Sequence, residues 1–79
     1  METETELTIH ERAKKWRIDN RYTREEISRL TGFSVSVIAD LETGFVRGNH
    51  ARPVPVSTMK RYRLCLAAVA AGLTGWEPR

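Results

Sequence analysis

The sequence has a single cysteine, Cys65, among 79 residues, which rules out an intramolecular disulfide and a cysteine-rich zinc site. Its two histidines, His10 and His50, stand far apart and have no metal-ligand spacing. No apolar run is long enough to span a bilayer, and residues 1–6 are acidic and polar, the opposite of a secretory signal. A lone thiol without an export signal fits a reducing, cytoplasmic setting. There is no glycine-rich phosphate loop, and the histidines and the cysteine make no nucleophile–base arrangement. Asp40 and Glu42 are two apart on an expected helix, face different directions, and make a poor acid/base pair. The expectation is a protein that is not an enzyme and uses no cofactor or metal. A chain this short makes one domain, near the lower limit at which a single core suffices. With metals and disulfides excluded, association with a second copy is the expected source of further buried surface.

Acid is scarce where base is not. Residues 43–76 contain no Asp or Glu, while Arg47, Arg52, Lys60, Arg61 and Arg63 fall within them. The net charge is +3, and setting aside Glu2, Glu4 and Glu6 in an expected flexible tail (residues 1–7) raises it to +6. One-sided charge suits a polyanionic partner, although a solvated basic surface with no partner explains the charge alone equally well.

Residues 8–79 read as one all-α domain of four helices and no strands. Thr8 and Glu11 have the spacing of a capping box, and Ile9, Ala13 and Trp16 then fall on one face of a first helix ending near Asn20. Thr23 and Glu26 repeat the box, with Tyr22 and Ile27 at the hydrophobic-staple positions. That second helix spans 24–31, turns Ile27 and Leu30 inward, and stops at Gly32. Ser34 caps a third helix over 34–43, which carries Val35, Val37, Ile38 and Leu41 and stops at Gly44. The Val-Ser-Val-Ile stretch also suits a strand, but a cap and a glycine stop at helix spacing favour the helix. Residues 45–56, with Gly48, Pro53 and Pro55, read as a partly extended loop. Ser57 opens a fourth helix over 57–71, and Trp76 in the following tail is expected to dock on an apolar surface.

Two short capped helices joined by a tight turn at 31–34 set the second helix at a steep angle and project it outward. At this point residues 13–44 resemble the Cro and lambda-repressor type of helix-turn-helix family. Its members carry an arginine in the first helix, then Leu-Thr-Gln-Glu-Glu-Leu-Ala, a Leu-Thr-Gly-Val-Ser turn, and an Ile-x-x-Ile-Glu-x-Gly ending. Here the stretches are Tyr22-Thr23-Arg24-Glu25-Glu26-Ile27-Ser28, Leu30-Thr31-Gly32-Phe33-Ser34 and Ile38-Ala39-Asp40-Leu41-Glu42-Thr43-Gly44. The resemblance implies a compact helix-turn-helix DNA-binding domain whose third helix enters the major groove. It also implies a partly buried ion pair between Arg17 and Glu42, with Ser28 standing where the family has a small residue at the helix crossing.

The family reads bases from the opening turns of that helix, often with Gln, Arg, Asn or Lys. In this chain the positions hold Ser34, Val35, Ser36, Ala39 and Asp40, with no long cationic or amide side chain. Ser36 can donate or accept, Val35 can touch a thymine methyl, and Asp40 can accept from a cytosine amino group. Arg24, at the start of the second helix, joins the candidate DNA-contacting set. So does the loop cluster Arg47, Asn49, His50 and Arg52, which no acid interrupts; an ordinary solvated loop is the plainer alternative.

The fourth helix places Met59, Tyr62, Leu66, Val69 and Leu73 at heptad-like steps, and Leu64, Cys65, Ala67, Ala68, Ala70 and Ala71 cover much of the rest. A helix apolar nearly all round is buried on more than one side. The five heptad residues are the expected dimerisation seam, the alternative being a central core helix in a monomer. The loop with its Arg52-Pro53-Val54-Pro55 step, followed by a Leu/Ala-rich helix, is also similar to some phage-borne autorepressors, including anti-CRISPR-associated ones. The resulting expectation is a dimeric, cytoplasmic repressor of transcription that binds an inverted-repeat operator in double-stranded DNA and occludes a promoter, in a phage or mobile-element operon. A protein-binding helix-turn-helix module, such as an antitoxin or adaptor, is the alternative.

Overall fold

The computed structural model describes residues 7–73, the side chain of His50 excepted; residues 1–6 of the expected tail and the expected docking of Trp76 lie outside them. Four helices are present, α1 (Ile9–Asp19), α2 (Arg24–Thr31), α3 (Val35–Thr43) and α4 (Val56–Ala70), with two short strands, β1 (Phe45–Val46) and β2 (Asn49–Pro53), between α3 and α4.

The first three helices start and stop for local reasons. In the α1 box the Thr8 hydroxyl accepts from the Glu11 amide at 3.0 Å and the Glu11 carboxylate accepts from the Thr8 amide at 2.8 Å. The same reciprocal pair forms between Thr23 and Glu26, at 3.0 and 2.7 Å. Each box satisfies two of the amides that a helix start leaves without partners. Hydrogen bonding to Thr23 also lowers the pKa of the Glu26 carboxyl. Ser34 caps α3 by accepting from the Val37 amide at 3.2 Å. α2 and α3 both end on a left-handed glycine, Gly32 at φ +85° and Gly44 at φ +93°. At Gly44 any other residue is strained, because its backbone is left-handed and an added Cβ would lie 2.9 Å from the His10 ring, which would have to shift.

Two expectations require correction. Residues 45–56, expected as a partly extended loop in a domain without strands, contain a hairpin: Phe45 pairs with Pro53 and Val46 with Asn49, antiparallel and with a register irregularity between them. Gly48, at φ +76°, lets the chain reverse, and Pro53 ends the strand where no amide is needed. The pattern escaped sequence reading because a two-residue strand is too short to show alternation. α4 also begins one residue earlier than expected, at Val56, with Pro55 at the N-cap and no side-chain cap. Its first bond runs from the Met59 amide to the Pro55 carbonyl, so Ser57 lies inside the first turn and does not cap it.

One core joins the helices: Ala13 from α1, Ile27 from α2, Ile38 and Leu41 from α3, and Met59, Tyr62 and Leu66 from α4. Ile9, Trp16, Tyr22, Phe33 and Val54 pack around its edge. Met59, Tyr62, Leu66 and Val69 are therefore buried within their own chain and cannot form a seam with a second copy. Leu73, the fifth expected seam residue, is exposed. The helix carries apolar residues on both faces, so periodicity could not select the inward one. The face left to solvent bears Leu64 and Ala71, with Ala68 half-buried beside them.

Tyr62 is the largest fully buried side chain, its ring meeting Phe33 edge-on at 5.4 Å. Its hydroxyl has no hydrogen-bond partner among the described residues. Burial, with a smaller contribution from the nearby Glu42 carboxylate, pushes its pKa up to about 12. Raised above the unfolded value, this pKa gives stability that is intact below about pH 10 and lost as the pH rises toward 12. Tyr62→Phe is expected to leave stability at pH 7 unchanged or raise it by up to about 1 kcal/mol, since it removes a buried hydroxyl without a partner. It should also flatten the alkaline loss in urea titrations; a loss of more than about 1 kcal/mol at pH 7 would mean the hydroxyl is satisfied.

Candidate nucleic-acid interface

α3 is about 13 Å long at 1.5 Å per residue, and its orientation is set from the inside. Ile38, Leu41 and Glu42 are buried. Helical geometry then turns Ser36, Ala39, Asp40 and Thr43 outward, while Val35, one turn ahead of the buried Ile38, is 37% exposed in the first turn. Val35, Ser36 and Thr43 are exposed and Ala39 and Asp40 half-buried. Thr43 was not singled out from the sequence, yet it continues the Ser36–Asp40 stripe by one turn. The i, i+3, i+4 spacing carried that signal. Ser34 is exposed, but its hydroxyl is engaged in the cap. The outward face thus has one carboxylate, Asp40, and no cation.

Behind this face lies the ion pair that the resemblance implied. The Arg17 Nε donates to Glu42 Oε2 at 2.6 Å and its second terminal nitrogen to Oε1 at 3.2 Å, a bidentate contact. Arg17 also donates to the Tyr22 carbonyl at 2.9 Å, pinning the α1–α2 turn. The Glu42 side chain is wholly buried and the Arg17 side chain nearly so. Hydrogen bonding to Glu42 raises the Arg17 pKa further, against the opposing effect of burial.

Arg24 is the residue whose position sequence reading missed. Its Nε donates to Glu42 Oε1 at 3.0 Å, so the carboxylate holds one guanidinium from α1 and one from α2. Arg24 therefore has a structural role besides any contact with DNA, and with its side chain 36% exposed its outer edge still meets solvent. Ion-pair spacing along the chain gave no hint of this, because the partners are eighteen positions apart.

The hairpin is rooted at the other end of α3. The Val54 amide donates to the Gly44 carbonyl at 3.0 Å, and the Thr43 hydroxyl lies within hydrogen-bond distance of the Asp40 and Phe45 carbonyls. Arg47, Asn49 and Arg52 are exposed on it, and His50 lies on the same strand. The Asn49 carboxamide oxygen accepts from the Ala51 amide at 3.0 Å, so it shapes the turn as well as offering a free amino group. His10 packs beneath the root, its Nδ1 2.6 Å from the Leu41 carbonyl. The expected contact residues thus fall into two groups: an almost neutral helix face, and a basic hairpin attached to the C-terminal end of the same helix.

No known protein family, curated protein or solved structure matches this chain.

Removing Glu42 leaves two guanidiniums facing a desolvated hole. Glu42→Ala is expected to cost roughly 3–5 kcal/mol in urea denaturation, a large share of the stability of a domain this small. Arg24→Ala should cost only about 1 kcal/mol, because that side chain is partly solvated. Equal losses for the two variants would contradict the burial asymmetry between them.

Proposed function

We propose that the protein is a sequence-specific double-stranded DNA-binding regulator of the helix-turn-helix type, acting as a homodimeric repressor by promoter occlusion. The observation that carries this reading is the presentation of α3. It is short and capped at both ends, turned by a left-handed glycine after α2, and locked from behind by the Arg17–Glu42–Arg24 cluster. A helix so presented suits the width of the major groove. The hairpin beside it carries Arg47 and Arg52, which suit guanine edges, phosphates or a narrow minor groove. Among the described residues no helix is long and apolar enough to cross a membrane. An operon of phage or mobile-element origin remains part of the proposal through the sequence resemblance alone.

With Val35, Ser36, Val37, Ala39, Asp40 and Thr43 as the solvent-facing residues of the helix, base readout by α3 is modest and the arginines supply most of the affinity. Selection of bound sequences from random duplexes should return an inverted repeat with half-sites about one helical turn, roughly 34 Å, apart. On that operator, an arginine paired bidentately with guanine contributes about 1–3 kcal/mol at one base pair, so its replacement by Ala relaxes preference there. An arginine that contacts only phosphate weakens all sequences alike and lowers the salt slope by about one. Arg47→Ala and Arg52→Ala each produce one of these two patterns; if both leave affinity and preference intact, the hairpin does not touch DNA.

Two copies can meet through the outer face of α4, where Leu64 is 63% exposed beside Ala68 and Ala71. Leu64→Glu should convert a dimer to a folded monomer in sedimentation and weaken operator binding. A wild-type chain that is monomeric at tens of micromolar would contradict this part of the proposal.

The apolar opening of α3 favours a second reading, a protein-binding adaptor or antitoxin, since Val35 and Val37 are each 37% exposed and no cation stands among them. Binding to random duplex DNA separates the two. A DNA binder loses affinity steeply with salt through counterion release, whereas an adaptor binds little at any salt.

A further inference from the structure

Between α1 and α4 runs an open groove of about 250 Å³ with an apolar floor that includes Ile9, Trp16, Ala67 and Ala70. Arg12 and Arg63 stand on its rim, and neither has an ion-pair partner among the described residues. Trp16 stacks on Tyr22 at 5.8 Å and remains half-buried. The groove lies on the side of α4 that faces α1, distinct from the outward strip of Leu64 and Ala71, and none of its residues belongs to the α3 or hairpin surface.

At its C-terminal end α4 closes with a reversal of the chain. The Leu73 amide donates to the Ala68 carbonyl at 2.8 Å and the Gly72 amide to the Val69 carbonyl at 2.9 Å, with Gly72 left-handed at φ +82°. This pair of bonds is a Schellman stop, which folds the chain back over the last turn of a helix. Three residues beyond Leu73 comes Trp76, and three extended residues reach up to about 10 Å. Ala70 and Ala67 lie within the last turns of that helix. Glu77 follows at once, and it is the first acid in the chain after Glu42, opposite in sign to Arg12 and Arg63.

We propose that the segment 74–79 is the occupant of this groove, with the Trp76 indole on the Trp16–Ala67–Ala70 floor and Glu77 between Arg12 and Arg63. An indole suits such a place because it brings a large apolar area with an N–H that can remain at the wet edge.

The test is NMR on the full-length chain. Trp76 indole protons should show NOEs to the Ala67 and Ala70 methyls and to the Trp16 ring, within one molecule in an isotope-mixed sample. Ala67 is exposed, so Ala67→Glu should preserve the fold while filling the floor and pairing Arg63 one turn earlier. In that variant the NOEs should vanish and indole N–H exchange at Trp76 should accelerate at least about tenfold. A wild-type Trp76 without these NOEs and with an unprotected indole would overturn the proposal. So would NOEs to the floor that arise from a second copy or from residues 1–6.

Discussion

A carboxylate buried away from solvent has to be surrounded by donors, and the position of Glu42 organises the rest of this domain. Its side chain has no exposure, and desolvating a carboxylate costs several kcal/mol unless charge and hydrogen bonds return it. Arg17 from α1 and Arg24 from α2 meet that demand together. One side chain on α3 therefore fixes three helices relative to one another, while Ile27, Ile38, Leu41 and Tyr62 supply the apolar mass around them. With Glu42 turned inward, the helix has no freedom in which residues it shows to solvent. His10 adds a second constraint at the C-cap, where its ring fills the space that a side chain at position 44 would need.

Much of this was legible because it is local. Capping boxes and glycine stops act over three or four residues, so the ends of α1, α2 and α3 follow from Thr8, Thr23, Ser34, Gly32 and Gly44. The Arg17–Glu42 pair came from a resemblance, since a separation of twenty-five positions hides it from any spacing rule. What sequence could not give depended on tertiary choice. Arg24 looks like any exposed helix-start arginine until α3 brings Glu42 beside it. α4 offers apolar residues in every direction, and only the packed core decides that Tyr62 points in and Leu64 out. The hairpin hid behind two prolines that read equally well as loop.

The proposed interface divides its chemistry between two elements. α3 presents small and apolar groups with one carboxylate, suited to close approach but weak in attraction. The hairpin presents cations on a root hydrogen-bonded to the Gly44 carbonyl. Charge that draws a polyanion and shape that fits a groove are thus held at fixed separation by the same helix end.

The most direct measurement is an amide and methyl chemical-shift titration of the labelled protein with its selected duplex. The account predicts perturbations at Val35, Ser36, Ala39, Asp40, Thr43, Arg47 and Arg52, with the buried residues around Glu42 nearly unmoved. Perturbations confined to α1 and α4, or none at stoichiometric duplex, would contradict it.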